Sequence, residues 1–138
     1  MAYDDNNVFA KILRGEIPCF KIYEDDQTLS FLDIMPATQG HTLVIPKELA
    51  ETMFDLTPEA MAATIKTTQL VATAVKNAFD APGVMLVQLN GKASGQSVPH
   101  LHFHILPRFH GLDMNFHGRK MADISNLEPI AEKIRAEL

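Results

Sequence analysis

Tryptophan is absent from this 138-residue chain, and cysteine occurs once, as Cys19. A single thiol cannot close an internal disulfide. Without a Cys-x-x-Cys pair there is no thioredoxin-like redox motif and no thiolate-rich zinc motif. Long apolar runs are also missing, since none approaches the ~18 residues that a membrane-spanning helix needs. The opening stretch MAYDDNNVFAKILRGEIP has no basic-then-apolar signal, so a cytoplasmic location is expected and no membrane partner. Positive charge is scarce: 12 Lys+Arg stand against 17 Asp+Glu, for a net charge of −5, and no basic run stands out. Polynucleotide binding depends on neutralising many phosphates, which argues against a nucleic-acid partner. A small nucleotide with one or two phosphates stays compatible. Walker loops, GxGxxG fingerprints, repeats and low-complexity tracts are absent as well.

What is present is the make-up of an ordinary globular protein. The chain is 46% hydrophobic and 21% charged, enough for one sizeable core, and a single domain over residues 1–138 is expected. Asn6 or Asn7 can cap a short helix through FAKILR, stopped by Gly15 and Pro18. CFKIYEDDQTLSFLDI reads as a hairpin, with strands over 19–24 and 28–34 turning at Asp25-Asp26. HTLVIP, from His41 to Pro46, is a third strand. Residues 57–79 form the clearest helix, capped by Thr57, with Met61, Ile65, Ala72, Val75 and Phe79 at helical spacing. VMLVQL, residues 84–89, is nearly continuous in apolar side chains and reads as a central or interface strand. A last helix starts near Asn126 and sets Ile130, Ile134 and Leu138 on one side. This order predicts an α+β domain with an antiparallel sheet.

The stretch GQSVPHLHFHILPR, residues 95–108, holds half of the six histidines. His100, His102 and His104 alternate with Leu101, Phe103 and Ile105, so a strand here turns the imidazoles to one face and the apolar set to the interior. Same-face neighbours on a strand lie roughly 6.6 Å apart and the outer pair roughly 13 Å apart. Zinc needs nitrogen ligands at ~2.0–2.1 Å, so two of the three can converge on one ion but three on a straight strand cannot. A structural role, in which each ring bonds a neighbour or water, is the plain alternative. The third reading is imidazole as nucleophile and proton carrier, for which a pKa of ~6.5 is well suited. Gly95, Gln96 and Ser97 just ahead supply an approachable backbone N–H, an amide and a hydroxyl, the parts of a phosphate cradle without net positive charge.

With these residues in view the chain resembles the histidine triad family, in its small nucleotide-binding branch. HLHFHIL carries the triad signature, and the likeness runs back through FAKILRGEIPCFKIYEDDQTLSFLDIMPATQGHTLVIPK, covering roughly residues 6–109. The resemblance implies a five-stranded antiparallel sheet with one long and one or two short helices. It implies a homodimer whose two sheets join. It also implies cleavage at the α-phosphorus of a purine nucleotide (an AMP or GMP moiety) through a nucleotidyl-histidine, the substrate being a nucleoside phosphoramidate or aminoacyl-adenylate. A dinucleoside polyphosphate hydrolase and a non-catalytic nucleotide-binding module are the alternatives. By resemblance His102 is the nucleophile, His104 contacts the phosphate, His100 orients the nucleophile through its carbonyl, and His41 is a fourth histidine nearby. Asp33 falls at the ribose position; Phe9, Phe31, Leu32 and Ile34 fall at the base pocket. Asn90, Gly95, Gln96 and Ser97 fall where phosphate and leaving group are held. His110 and His117 match nothing catalytic and read as surface residues.

Two departures from the family pattern matter. Many relatives carry Cys-x-x-Cys near the start, forming a zinc site with two histidines; here the matching positions are Asn7 and Ala10. His41 and His100 alone would make a weak half-site, so no metal and no other cofactor is expected. The first helix is expected to dock instead through Phe9, Ile12 and Leu13. The second departure is Pro107-Arg108 after the triad, where some relatives have Gly-Gly, which makes that edge of the cleft more cationic.

Overall fold

A computed structural model describes residues 2–111 and 121–138. The order is α1 (Val8–Leu13), β1 (Lys21–Glu24), β2 (Thr28–Leu32), β3 (Thr42–Pro46), α2 (Pro58–Ala78), β4 (Gly83–Gln88), β5 (Phe103–Arg108) and α3 (Ile124–Arg135), with a 3-10 turn at Lys92–Ser94 before β5. Among the described residues, five strands make one antiparallel sheet in the order β1-β2-β3-β5-β4. His117 lies outside the described residues, and His110 is exposed. No helix among the described residues is long and apolar enough to cross a membrane.

Local chemistry explains the element ends. Asp25 Oδ1 accepts from the backbone N–H groups of Gln27 and Thr28, each at 2.8 Å, which closes the β1–β2 hairpin. Asn7, not Asn6, caps α1 by accepting from Ala10 N at 2.9 Å. Thr57 caps α2 with Pro58 at the first helical position, as its sequence predicts. α3 begins at Ile124, two residues before the expected start, because Asp123 accepts from Ser125 N and serves as its cap.

Side-chain alternation divides the core into two layers. Leu32, Val44 and Ile105 face α2 and α3, packing on Val71, Ala74, Val75, Ala131 and Ile134. Leu29, Phe31, Leu43 and Ile45 face the opposite way and are covered by Phe9, with Ile12 and Leu13 packed against them. The central strands β2 and β3 are therefore buried along their whole length. That second layer is how α1 docks.

Three expectations are corrected by the packing. The buried face of α2 carries Ala60, Thr64, Thr67, Thr68, Val71, Ala74, Val75 and Ala78, whereas Ile65 is 47% exposed. Threonines are admissible there because Thr64 and Thr68 donate to the carbonyls of Ala60 and Thr64 one turn back. Thr67 also shares a buried hydrogen bond with Thr28 of β2, at 2.7 Å. On α3 the buried residues are Leu127, Ala131 and Ile134, while Leu138 is exposed. Thirdly, the histidine strand starts later than the alternation predicts: β5 begins at Phe103, so His100 and His102 precede it. The β3–β5 ladder runs out at the Val44–Phe103 pair. Beyond it, the Pro46 carbonyl accepts from the side chain of His100 at 2.9 Å rather than from a strand N–H.

Candidate functional site

The α1 side of the sheet holds a cavity of about 380 Å³. Its walls include Phe9 from α1, Phe31 and Leu32 from β2, Asp33 and Ile34 from the following turn, and His41 at the start of β3. Ser97 and Val98 come from the loop before β5, and His102 and His104 close the floor. Nine of the residues singled out in the sequence are thus brought together. Ile12, Ile17, Pro18 and Cys19 also line the cavity and were not read from the sequence as binding residues, because apolar side chains give no signal of a ligand on their own. Burial pushes the Cys19 thiol pKa up.

Four residues named from the sequence lie outside the cavity lining. Gln96 is buried and pins the loop: its amide Nε2 donates to the carbonyls of Glu51 and Val98, and Oε1 accepts from Gly91 N. Asn90 Oδ1 accepts from Met53 N at 2.8 Å, joining this loop to the segment after β3. Gly95 adopts φ +104, in the left-handed region, and ends the 3-10 turn. These three shape the loop that presents Ser97. His100, fully buried, stands behind His102.

The histidines are buried rather than facing solvent: His41, His100, His102 and His104 are 0–5% exposed. Their hydrogen bonds assign the ring protons, because a carbonyl only accepts and a backbone N–H only donates. His100 Nε2 donates to the Pro46 carbonyl at 2.9 Å, so its Nδ1 is the acceptor when the ring is neutral. Burial lowers the His100 pKa and the Pro46 bond partly opposes this, which favours that neutral ring. His102 Nδ1 donates to the His100 carbonyl at 2.7 Å, leaving the lone pair on Nε2. His41 Nδ1 accepts from Ala37 N at 3.0 Å, so its proton sits on Nε2, 2.9 Å from His104 Nδ1. His104 accepts there, which places its own proton on Nε2. Phe9 stands edge-on to the His102 ring, with centroids 4.9 Å apart, and the His102 and His104 rings approach to 4.8 Å.

Asp33 serves the turn as well as the cavity. Oδ1 accepts from Met35 N at 2.8 Å, and Oδ2 lies 3.5 Å from His41 Nε2. One ligand atom each from Asp33, His41 and His104 falls within 4.8 Å of the others, yet the set does not fit a metal ion. A cation on His41 Nε2 would force the proton to Nδ1, which already receives the Ala37 N–H. Nor do the residues at the family's other zinc position fit: Asn7 caps α1, Ala10 offers a methyl group, and His100 Nδ1 receives the Tyr3 hydroxyl. His41 and His100 turn to separate partners and form no half-site.

Comparison with known proteins finds relatives over most of the chain. A family profile described as the HIT domain matches residues 14–111. The adenosine 5′-monophosphoramidase hnt1 of Schizosaccharomyces pombe is 41% identical over 101 residues, which is 73% of this chain and 73% of that protein. The crystal structure of a Hit-like protein from Bartonella henselae, described as involved in cell-cycle regulation and containing an unknown ligand, superposes with a TM-score of 0.93. It is 48% identical, and the match covers 100% of both chains. A zinc-bound histidine triad family protein from Mycobacterium smegmatis superposes at 0.82, with 36% identity over 94% of this chain and 91% of that one.

Proposed function

The chain belongs to the histidine triad family, and from that premise we propose that it is a purine-nucleotide hydrolase or transferase acting at the α-phosphorus. The substrate class is a nucleoside phosphoramidate or an aminoacyl-adenylate, and the intermediate is a nucleotidyl-histidine. The observation that carries this reading is the ring assignment of His102, whose Nδ1 is committed to the His100 carbonyl so that Nε2 holds the lone pair. A neutral imidazole oriented in this way is an activated nucleophile at neutral pH. The similarity to an adenosine 5′-monophosphoramidase supports the choice of leaving group.

In this reading Nε2 of His102 attacks the α-phosphorus in line. A P–N bond forms to the ring as the bond to the leaving group breaks; an amine leaves with a proton taken from solvent, and an amino acid leaves as its carboxylate. Water then attacks phosphorus from the side opposite the ring and gives its proton to solvent, the ring departs with its lone pair restored, and AMP or GMP is released. His104 Nε2–H and the Ser97 hydroxyl supply donors for charge on the non-bridging oxygens. His41 holds His104 in the tautomer that makes Nε2 a donor. Phe9, Phe31 and Ile34 offer an apolar slot for the base, with Leu32 at its wall but its side chain packed into the α2–α3 layer, and Asp33 accepts from the ribose hydroxyls. Asn90, Gly95 and Gln96 act through the loop that presents Ser97.

The protein also works as a homodimer in this reading, paired through β4. This is an edge strand whose apolar side chains fall on both faces, and Leu86 is 51% exposed.

The deciding experiment is hydrolysis of adenosine phosphoramidate, followed by AMP release. His102→Asn is expected to lower kcat by roughly a thousandfold or more while AMP still binds. Acid-quenched enzyme should show an adenylyl adduct on His102 by mass spectrometry. Full turnover in the variant would overturn the mechanism. Tight AMP binding by a wild-type protein that never turns over would leave the non-catalytic binding module.

A further inference from the structure

His102 depends on a carbonyl that no strand holds. The His100 carbonyl orients the His102 ring, yet residue 100 precedes β5 and has no ladder partner in the recorded register. The neighbouring backbone anchor is Leu101 N, which donates to the Ala50 carbonyl at 2.8 Å. Among the described residues, the further hydrogen bonds that hold residue 100 come through its own buried ring. Pro46 takes one side, and on the other His100 Nδ1 lies 2.5 Å from the hydroxyl of Tyr3. Since Nε2 must carry the proton that Pro46 accepts, Nδ1 accepts, and Tyr3 is the donor.

Tyr3 is itself held. Its oxygen accepts from Asn7 Nδ2 at 2.8 Å, and the same amide donates to the Asp4 carbonyl at 2.7 Å. Through Oδ1, Asn7 caps α1, whose Phe9 stands against the His102 ring. The Tyr3 ring also meets the His100 ring edge-on, with centroids 5.6 Å apart and planes at 80°. A directed series results: Asn7 donates to Tyr3, Tyr3 to His100, and His100 to Pro46, while the His100 carbonyl receives His102.

We propose that Tyr3 is a positioning residue of this site, its hydroxyl fixing His100 and, through the His100 carbonyl, the tautomer and orientation of His102. The proposal rests on the reading of His102 as nucleophile. Without the hydroxyl, His100 Nδ1 becomes a buried acceptor lacking its donor, a state that is relieved by rotating the ring or shifting residue 100. Either change moves the carbonyl and lets the proton of His102 exchange between its two nitrogens. Small displacements of this kind cost rate rather than affinity, because the apolar slot and Asp33 are untouched.

The test uses Tyr3→Phe, which keeps the ring and removes only the hydroxyl, and Asn7→Ser, which keeps a capping oxygen and removes the amide donor. In Tyr3→Phe, kcat for adenosine phosphoramidate is expected to fall about five- to tenfold, with KM and AMP affinity unchanged. Asn7→Ser should give a smaller loss of the same kind, and the double variant no more than Tyr3→Phe alone. Ring-nitrogen NMR on the ligand-free protein supplies a readout independent of turnover. The wild type should show His102 as one tautomer, protonated at Nδ1, and Tyr3→Phe should show a mixture. A single tautomer retained in Tyr3→Phe overturns the proposal, as does an unchanged kcat or an equal loss of kcat and AMP affinity. If the wild type proves inert, the functional reading fails by itself, and the NMR result still decides the role of Tyr3.

Discussion

Asp33 divides its two oxygens between folding and the cavity. Oδ1 closes the turn at Met35, and Oδ2 stays near His41 and the cavity wall. Asp33→Ala is therefore expected to weaken AMP binding by about 1.5–3 kcal/mol, the range for hydrogen bonds to a charged group. Asp33→Asn, which keeps an acceptor for the turn, separates the two contributions. Isothermal titration showing unchanged AMP affinity in both would remove the ribose assignment. At this scale the sequence tells which side chains share a face: His100, His102 and His104 fall on one side, and Leu101 and Ile105 are fully buried on the other. It does not tell which nitrogen of each ring carries the proton. That depends on main-chain groups that nearly every residue type possesses: the Ala37 N–H, which sets the proton of His41 and through it that of His104, 63 positions on, and the Pro46 carbonyl, 54 positions before His100. Tyr3 was silent for a similar reason, since one tyrosine ahead of a helix matches no periodic pattern.

Among the elements, the turn between β2 and β3 carries a tight steric requirement. Gly40 has φ +88, and a Cβ there would lie 2.5 Å from Cε2 of Phe79, at the end of α2. Gly40→Ala combines left-handed strain with overpacking, so a loss of roughly 2–4 kcal/mol is expected in urea unfolding. Because His41 follows directly, the variant should also lose activity at temperatures where it remains folded. Wild-type stability would show that the Phe79 ring moves aside and the turn relaxes. The hairpin, the Thr57 cap and the succession of elements were legible because turn chemistry and alternation are local. The α2 face was misread at Ile65, which looks like a core residue by hydropathy, whereas Met61 packs on Ala60 and Leu101 as expected. In the fold, small alanines and self-satisfied threonines occupy that face, and Ile65 is left 47% exposed.

At the level of the molecule, the sheet has two edges, β1 and β4, and they differ in cover. α3 crosses near β1, where Arg135 donates to the Lys21 carbonyl at 2.7 Å. β4 keeps Leu86 half exposed, and an edge strand offers an unpaired row of N–H and C=O groups to another strand. Light scattering at micromolar concentration is expected to return twice the monomer mass, and Leu86→Lys to shift it toward the monomer. A monomeric wild type would refute the pairing. The path of the chain also decides which positions can vary. Ala37 and Pro46 reach the imidazoles only through main-chain atoms, so replacing their side chains need not disturb a single ring proton. A sequence can therefore drift at such positions and still conserve its reaction. Divergence beside this site measures little about divergence in what it does.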